Sequence, residues 1–379
     1  MSSEQSIAQA FSDLTGTYPA GMWRAPGRIN LIGEHTDYND GFVLPFAIPQ
    51  AATVAAGLRT DERWRVCSLD MGETFEIGTD QLLPRTRGWA SYVFGVVWAL
   101  RQAGFAVPGA DLVLRSDVPI GAGLSSSAAI ECAVLAALAD LADLPIEPMR
   151  RAQLAQIAEN DYVGAPTGLM DQAASTLCIA DHALFLDCRK LQIHQVPLDV
   201  ARVGISILVI DTKTPHALVS GEYAKRRATC ERACAILGVK ALRDVDDLGA
   251  ALARLPSLEA RRTRHVVTEN RRVLDTVAAL GRHDFRALGT LMTASHTSMR
   301  EDYEITAPPV DLAVNIALAQ GAIGARMTGG GFGGCVLVLV AQRHEEDVAQ
   351  AVTLAFRAAG FATPTAFRAR PTAGAHRVW

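Results

Sequence analysis

VPIGAGLSSSAA, residues 118–129, stands between a strand-like run, ADLVLRS at 110–116, and the long apolar run IECAVLAALADLADL at 130–144. A helix made from that run is apolar nearly all round, so it should be largely buried. Gly121 and Gly123 permit backbone conformations closed to other residues. Ser125, Ser126 and Ser127 then lead into the helix, whose exposed N–H groups and positive dipole end make an anion site. These serines can cap the helix, bind phosphate oxygens or ligate Mg²⁺. A plain Gly-Ser turn with an N-cap is the simpler alternative. The pattern GxxxxGK[ST] is absent, no Gly-Lys dipeptide occurs, and the HRD and DFG elements of protein kinases are missing.

Upstream, the runs RAPGRINLIG, GFVLPFAI, AATVAAGL and RWRVCSL alternate with turn residues between 24 and 68 and predict a sheet-rich region. A short amphipathic helix is expected at 5–14 and another helix at 89–103. Within RAPGRINLIGEHTDYNDG, residues 24–41, Glu34, His35, Thr36, Asp37 and Tyr38 crowd together beyond Gly33. A turn so rich in donors and acceptors can surround a sugar, because each sugar hydroxyl both gives and takes a hydrogen bond. Asn39-Asp40-Gly41 would equally suit a solvated turn, and Arg28 a surface cation.

Downstream, AENDYVGAPTGLMDQ at 158–172 joins a helix over 148–162 to a second from about 170. Glu159 ends the first and Asp171 begins the second, so the hairpin can aim both carboxylates at one cleft. Alternatively, Asp171 only caps its helix. HALFLDCRKLQIHQVPL reads as a strand-like close to the first half, and VGISILVIDT as a strand opening the second. The boundary falls near 195–203, giving domains 1–200 and 201–379. The second half should carry helices at 221–237, 265–280 and 285–299 and a strand at 335–341, an α+β pattern in both halves. In GARMTGGGFGGCVLVLV, 324–340, Gly329, Gly331 and Gly334 satisfy GxGxxG. A strand-like run follows where a dinucleotide fingerprint needs a helix, so that reading is rejected and a Gly-rich hairpin turn remains open.

The chain has 379 residues, 49% of them hydrophobic, enough for a core in each of two domains or three. A net charge of -4 gives no global attraction to nucleic acid or an acidic membrane. The polar N-terminal stretch lacks the apolar core of a signal peptide, and the longest apolar runs are too short to span a bilayer as helices. The seven cysteines show no CxxC pair and the nine histidines no HExxH, which suits a reducing cytosol and argues against a disulfide framework or zinc site.

GRINLIGEHTDYN resembles the galactokinase signature nearly letter for letter, and PIGAGLSSSAA resembles the ATP loop of the GHMP kinases, the superfamily of galactokinase, homoserine, mevalonate and phosphomevalonate kinases. GLMDQ and the glycine-rich run at 324–334 are similar to further elements of that family. The resemblance implies a two-domain α+β GHMP kinase fold. Its N-terminal domain should resemble the second domain of ribosomal protein S5, its C-terminal domain should be ferredoxin-like, and the active site should lie between them. It implies phosphorylation of the anomeric hydroxyl of α-D-galactose by ATP, with Mg²⁺, in the cytoplasm. The chain should act as a monomer, with a weak homodimer as the alternative.

By the same resemblance Asp171 and Arg28 are the catalytic pair at the reacting oxygen. Glu34, His35, Asp37, Gly168, Tyr223 and Gly330 contact the sugar. Trp89 and the loop Gly121, Ala122, Gly123, Leu124, Ser125, Ser126 and Ser127 hold ATP. Ser127 and Glu159 hold the metal. Pro166 and Thr167 flank the sugar and bear on tolerance for other sugars. An N-acetylgalactosamine kinase and a non-catalytic galactose and ATP sensor are the alternatives. In such sensors the serine run is damaged, whereas here it is intact.

Overall fold

The structure is a computed structural model that describes residues 3–85, 88–214 and 219–379. Helix α1 (Ser3–Thr15) leads into β1 (Gly21–Asn30), β2 (Phe42–Val43), β3 (Pro45–Leu58), β4 (Arg63–Ser68) and β5 (Glu73–Gly78). Next come α2 (Ala90–Gln102), β6 (Ala110–Ser116), α3 (Ser126–Leu141), α4 (Pro148–Ile157) and α5 (Met170–Leu177). Strands β7 (His182–Asp187), β8 (Gln192–Pro197) and β9 (Ile205–Asp211) follow, then α6 (Val219–Leu237), α7 (Leu248–Arg254), α8 (Ser257–Gly281), α9 (Phe285–Ser298) and α10 (Pro308–Ala319). The chain finishes with β10 (Gly324–Thr328), β11 (Cys335–Ala341), α11 (Glu345–Ala358), β12 (Thr365–Ala369) and β13 (His376–Arg377).

These elements build a six-stranded sheet in the order β13-β1-β3-β6-β4-β5, a four-stranded sheet in the order β10-β11-β9-β12 and a small sheet β2-β7-β8. The four-stranded sheet is antiparallel throughout. In the larger sheet β4 runs parallel to β6. Strand β4 alternates as an amphipathic strand should: Trp64, Val66 and Ser68 are buried while Arg63 and Arg65 point outward. Helix α3 lies over β1 and β3, and Ala128 to Ala139 of it are buried almost without interruption, as its apolar periphery requires.

Several expectations are corrected. The stretch 182–198 is two strands, β7 and β8, joined by a turn at Cys188–Leu191, because Leu191 takes a left-handed φ of 54° and folds the chain back. The helix expected over 148–162 is α-helical only to Ile157 and continues as a wider π-helical turn, Ala158–Val163. Helix α8 begins at Ser257, a turn or more before the expected 265. Helices α10 and α11 and strand β10 had no prediction. The chain does not stay in the second sheet: β13 returns to pair with β1, and Thr372 bridges to Ala47.

Candidate functional site

Arg28 sits on β1, where a register shift between Pro26 and Arg28 breaks the pairing with β3. Its Nε donates to Asp171 Oδ1 at 2.8 Å, and its Nη1 donates to the carbonyl of Gly123 at 2.6 Å. Asp171 lies in the first turn of α5, whose N-cap position is Leu169, so it is not the capping residue. Its second oxygen accepts from Ser125 Oγ at 2.5 Å. Ser125 occupies the N-cap position of α3 with φ 59°, yet makes no capping bond; its hydroxyl is turned to Asp171 instead. Left-handed backbone at a non-glycine residue costs energy and is sustained by its surroundings. Three separate sequence motifs thus meet at one carboxylate.

The glycine-rich run is the loop between β10 and β11, folded against these groups. A Cβ on Gly329, where φ is 94°, would lie 3.0 Å from the carbonyl of Gly123. The N–H of Gly329 and Thr328 Oγ1 donate to Glu34 Oε1 at 2.9 and 3.2 Å. Glu34 is buried, which pushes its pKa up; Arg326 and Arg28 pull it back. Arg326 is fully buried, donates to the carbonyl of Leu31 at 2.7 Å and stands 3.4 Å from Glu34.

A cleft of about 320 Å³ opens between these elements, walled by Arg28, Glu34, His35, Asp37, Gly168, Asp171, Tyr223 and Gly330, with Ala165, Pro166, Thr167 and Met170 at one side. Gly168 is obligatory there, since a Cβ would fall 1.8 Å from Asp37 Oδ2. Burial, and the charge of Asp171 nearby, push the Asp37 carboxyl up to about 7. His35 is buried and pushed down to about 3 by burial first and His265 second.

A neighbouring cavity of about 310 Å³ is walled by Trp89, Tyr92, Gly121, Ser126, Ser127 and Ile130, among others. Trp89 is half-buried rather than a core residue and donates through Nε1 to Glu73 at 2.7 Å. Ala122 and Leu124 point into the core, while Gly121 and Gly123 take φ of 70° and 74°. Glu159 is buried and accepts from Thr167 Oγ1 at 3.0 Å and from Gln172 Nε2 at 2.6 Å. Burial, then the charge of Asp171, raises its pKa, whereas hydrogen bonds from Ser127, Thr167 and Gln172 oppose the rise. Of the predicted site residues, Arg28, Glu34, His35, Asp37, Gly168, Asp171, Tyr223 and Gly330 line the first cavity and Trp89, Gly121, Ser126 and Ser127 the second, whereas Ala122, Gly123, Leu124, Ser125 and Glu159 line neither.

Sequence reasoning missed Arg326, Thr328, Gln172 and Glu131. A lone charge in an otherwise apolar run was the available signal, since such residues are seldom buried unless paired. Glu131 in α3 and Arg326 in β10 both fit that description.

Residues 91–178 match the GHMP kinases N terminal domain, 276–360 the GHMP kinases C terminal region, and 9–58 the galactokinase galactose-binding signature. The Methanococcus jannaschii mevalonate kinase shares the fold, with a TM-score of 0.68 at 16% identity, covering 93% of this chain and 99% of that one. The fold is that of a GHMP kinase. The galactokinase of Streptomyces coelicolor is 51% identical over 378 residues, 98% of each chain. The Lactococcus lactis galactokinase complexed with galactose superposes with a TM-score of 0.94 at 31% identity, covering 98% of this chain and 99% of that one. Within the GHMP kinases, the chain belongs to the galactokinase family.

Proposed function

We propose that the protein phosphorylates galactose at its anomeric hydroxyl with ATP as donor, releasing galactose 1-phosphate and ADP. The observation that carries the reading is the junction of Arg28, Ser125 and Asp171, where the sugar segment, the serine loop and the second carboxylate element share one hydrogen-bonded carboxylate. The sugar occupies the cleft walled by Glu34, Asp37, Gly168 and Tyr223, and the nucleotide occupies the cavity beside Trp89 and the loop 121–127.

Asp171 takes the proton of the sugar O1–H as O1 bonds to the γ-phosphorus of ATP. The bond from that phosphorus to the β,γ-bridging oxygen breaks, and ADP leaves with the electron pair. Arg28 holds the carboxylate in place and offers positive charge to the developing oxyanion. Phosphoryl transfer of this kind asks the protein chiefly for positioning and charge, which a closed cleft supplies.

Mg²⁺ belongs with Ser127 and Glu159. Both offer hard oxygen, and no cation is among the groups that shift the buried Glu159, so a divalent ion would relieve its charge. When bound, the ion neutralises phosphate charge. The free thiols among the described residues suit a cytoplasmic enzyme. Purified protein with ATP and Mg²⁺ should release ADP when galactose is added and far less with glucose. Equal turnover of both sugars would sink the assignment, and galactose binding without turnover would favour a sensor.

A further inference from the structure

Glu131 on α3 and Gln172 on α5 are fully buried. Gln172 Nε2 donates to Glu131 Oε2 at 3.1 Å and to Glu159 Oε2 at 2.6 Å. A carboxamide nitrogen has two hydrogens, so both are spent on these two carboxyl groups. Turning the amide over would set its oxygen against two acceptors, so its orientation is fixed. Two buried oxygens are left without a partner: Oε1 of Glu131 and Oε1 of Gln172. They belong to the same two groups that Nε2 already joins.

An ionised carboxylate at this place would be costly, because a buried charge is kept only where it is paired or fully hydrogen-bonded. The charged groups that act on Glu131 are Glu159 and Asp171, both anions. Burial first and Glu159 second push its carboxyl well above the ordinary range. A single hydrogen on Glu131 Oε1 removes the charge and supplies the missing donor. An acid and an amide joined along one edge can close a ring along the other, O–H to C=O, and both oxygens are then partnered. The neighbourhood suits a dry and fixed pair. Ala128, Ala129, Cys132 and Leu135, on the same helix, are buried, and α3 packs against both α5 and the π-helical turn that carries Glu159.

We propose that Glu131 is a neutral acid whose O–H donates to Gln172 Oε1, and that this cyclic pair is a positioning device for Glu159. The ring locks the Gln172 amide, so that its other N–H points away from the pair and pins Oε2 of Glu159. Thr167 Oγ1 pins the same oxygen from the turn at 3.0 Å. Gln172 follows Asp171 directly in the chain, so the pair also anchors the first turn of α5. That the pinned carboxylate holds Mg²⁺ rests on the proposed function; the acid–amide pair does not.

Infrared spectroscopy of the metal-free full chain at pH 8 reads protonated carboxyl groups by their C=O stretch. One such band should be lost in Glu131→Gln, with the carboxylate bands unchanged. In Gln172→Leu the same band should move to higher wavenumber, because its hydrogen bonds are gone. Loss of a carboxylate band instead, or a band indifferent to Gln172→Leu, would overturn the proposal. Substitution gives a second arm. Glu131→Gln supplies an N–H where the acid has its O–H, so the ring can close again. The melting temperature and the Mg²⁺ needed for half-maximal turnover should stay near wild type. Glu131→Leu cannot close the ring and should raise the Mg²⁺ requirement about tenfold or more, the scale on which groups behind a metal ligand act. If Glu131→Gln raised it as far as Glu131→Leu, the charge and not the pair would matter, and the proposal would fall. Should Glu131→Leu not fold, the infrared arm decides without it. If the infrared results held while Glu159→Gln left the Mg²⁺ dependence unchanged, the metal reading would fall and the pair would stand.

Discussion

Asp171 accepts from a guanidinium on one oxygen and a hydroxyl on the other, so its position is overdetermined before any substrate arrives. Asp171→Asn should lose at least about 10²-fold in kcat, the low end for general acid–base groups, while a fluorescence titration shows ATP binding kept. Ser125→Ala removes one charge-assisted donor and should lose less, about 10-fold to 100-fold in kcat. A Ser125→Ala loss equal to that of Asp171→Asn would mean the hydroxyl has its own part in the chemistry. Asp37 carries a different signature. Its carboxyl is pushed up to about 7 from an ordinary 3.8, first by burial and then by Asp171. Below 3.8 both folded and unfolded states hold the proton, and the folded state suffers nothing. As pH rises toward 7 the unfolded chain ionises freely while the folded one resists, so stability is lost through that window and the loss levels off above it. Asp37→Asn should therefore raise the melting temperature of the sugar-free protein at pH 8, by about 2–4 °C for each kcal/mol relieved. The gain over wild type should shrink toward zero near pH 4. Calorimetry of both proteins across that range checks the slope, and a gain independent of pH would exclude ionisation of Asp37 as its cause.

At the level of elements, the turn between the π-helical segment and α5 is shaped to the sugar segment rather than to its own helices. Gly168→Ala would set a Cβ 1.8 Å from Asp37 Oδ2, and neither the turn nor the β1 side can yield without moving a cleft wall. The expected outcome is a galactose KM raised about tenfold or more, the scale of 1.4 kcal/mol or above for overpacking, with the ATP KM nearly unchanged. Steady-state kinetics with each substrate varied in turn would show the asymmetry; equal increases for both would indicate general loosening. Helix α8 supports the same segment from behind. Glu269 accepts from the N–H of Gly33 at 3.0 Å and from Ser295 at 2.7 Å; burial pushes its pKa up, but Arg272, His265, Arg326 and Ser295 together outweigh burial and hold it down to about 2. These elements differ in how openly the sequence announces them. The apolar ring of α3 and the alternation of β4 follow from side-chain periodicity alone. The split of 182–198 into two strands depended on one left-handed residue, Leu191, which no composition rule requires. Glu269 stands in a helix rich in charged residues, and nothing in its neighbours distinguishes it from a solvated acid.

For the whole molecule, the return of the chain is the feature with the plainest consequence. Strand β13 pairs with β1 through Trp23 and Arg24, the N–H of Thr372 donates to Ala47, and a Cβ on Gly374 would meet the carbonyl of Thr176 at 2.5 Å. Trp379 stacks on Tyr18 with ring centroids 5.7 Å apart. Deleting 370–379 removes no residue of either cavity, yet it should lower the melting temperature by more than about 5 °C, given 2–4 °C per kcal/mol. Activity at 25 °C should fall with it because β1 carries Arg28. Retention of the wild-type melting temperature would mean that the tail only covers an already stable sheet.

The sequence by itself determined the family and the residues that gather at the site. Its motifs are local: a glycine that opens the backbone, a serine run before a buried helix and a polar cluster after a turn each state their chemistry within a dozen residues. Only the tertiary structure decided which of those residues meet and in what role. Ser125 left its helix to bind Asp171, Trp89 came to a cavity wall, and Arg326 came to stand beside Glu34 across the two sheets. The reason is physical. A hydrogen bond or ion pair between residues tens or hundreds of positions apart leaves no periodicity in either segment, and its partner is fixed by packing rather than by spacing along the chain.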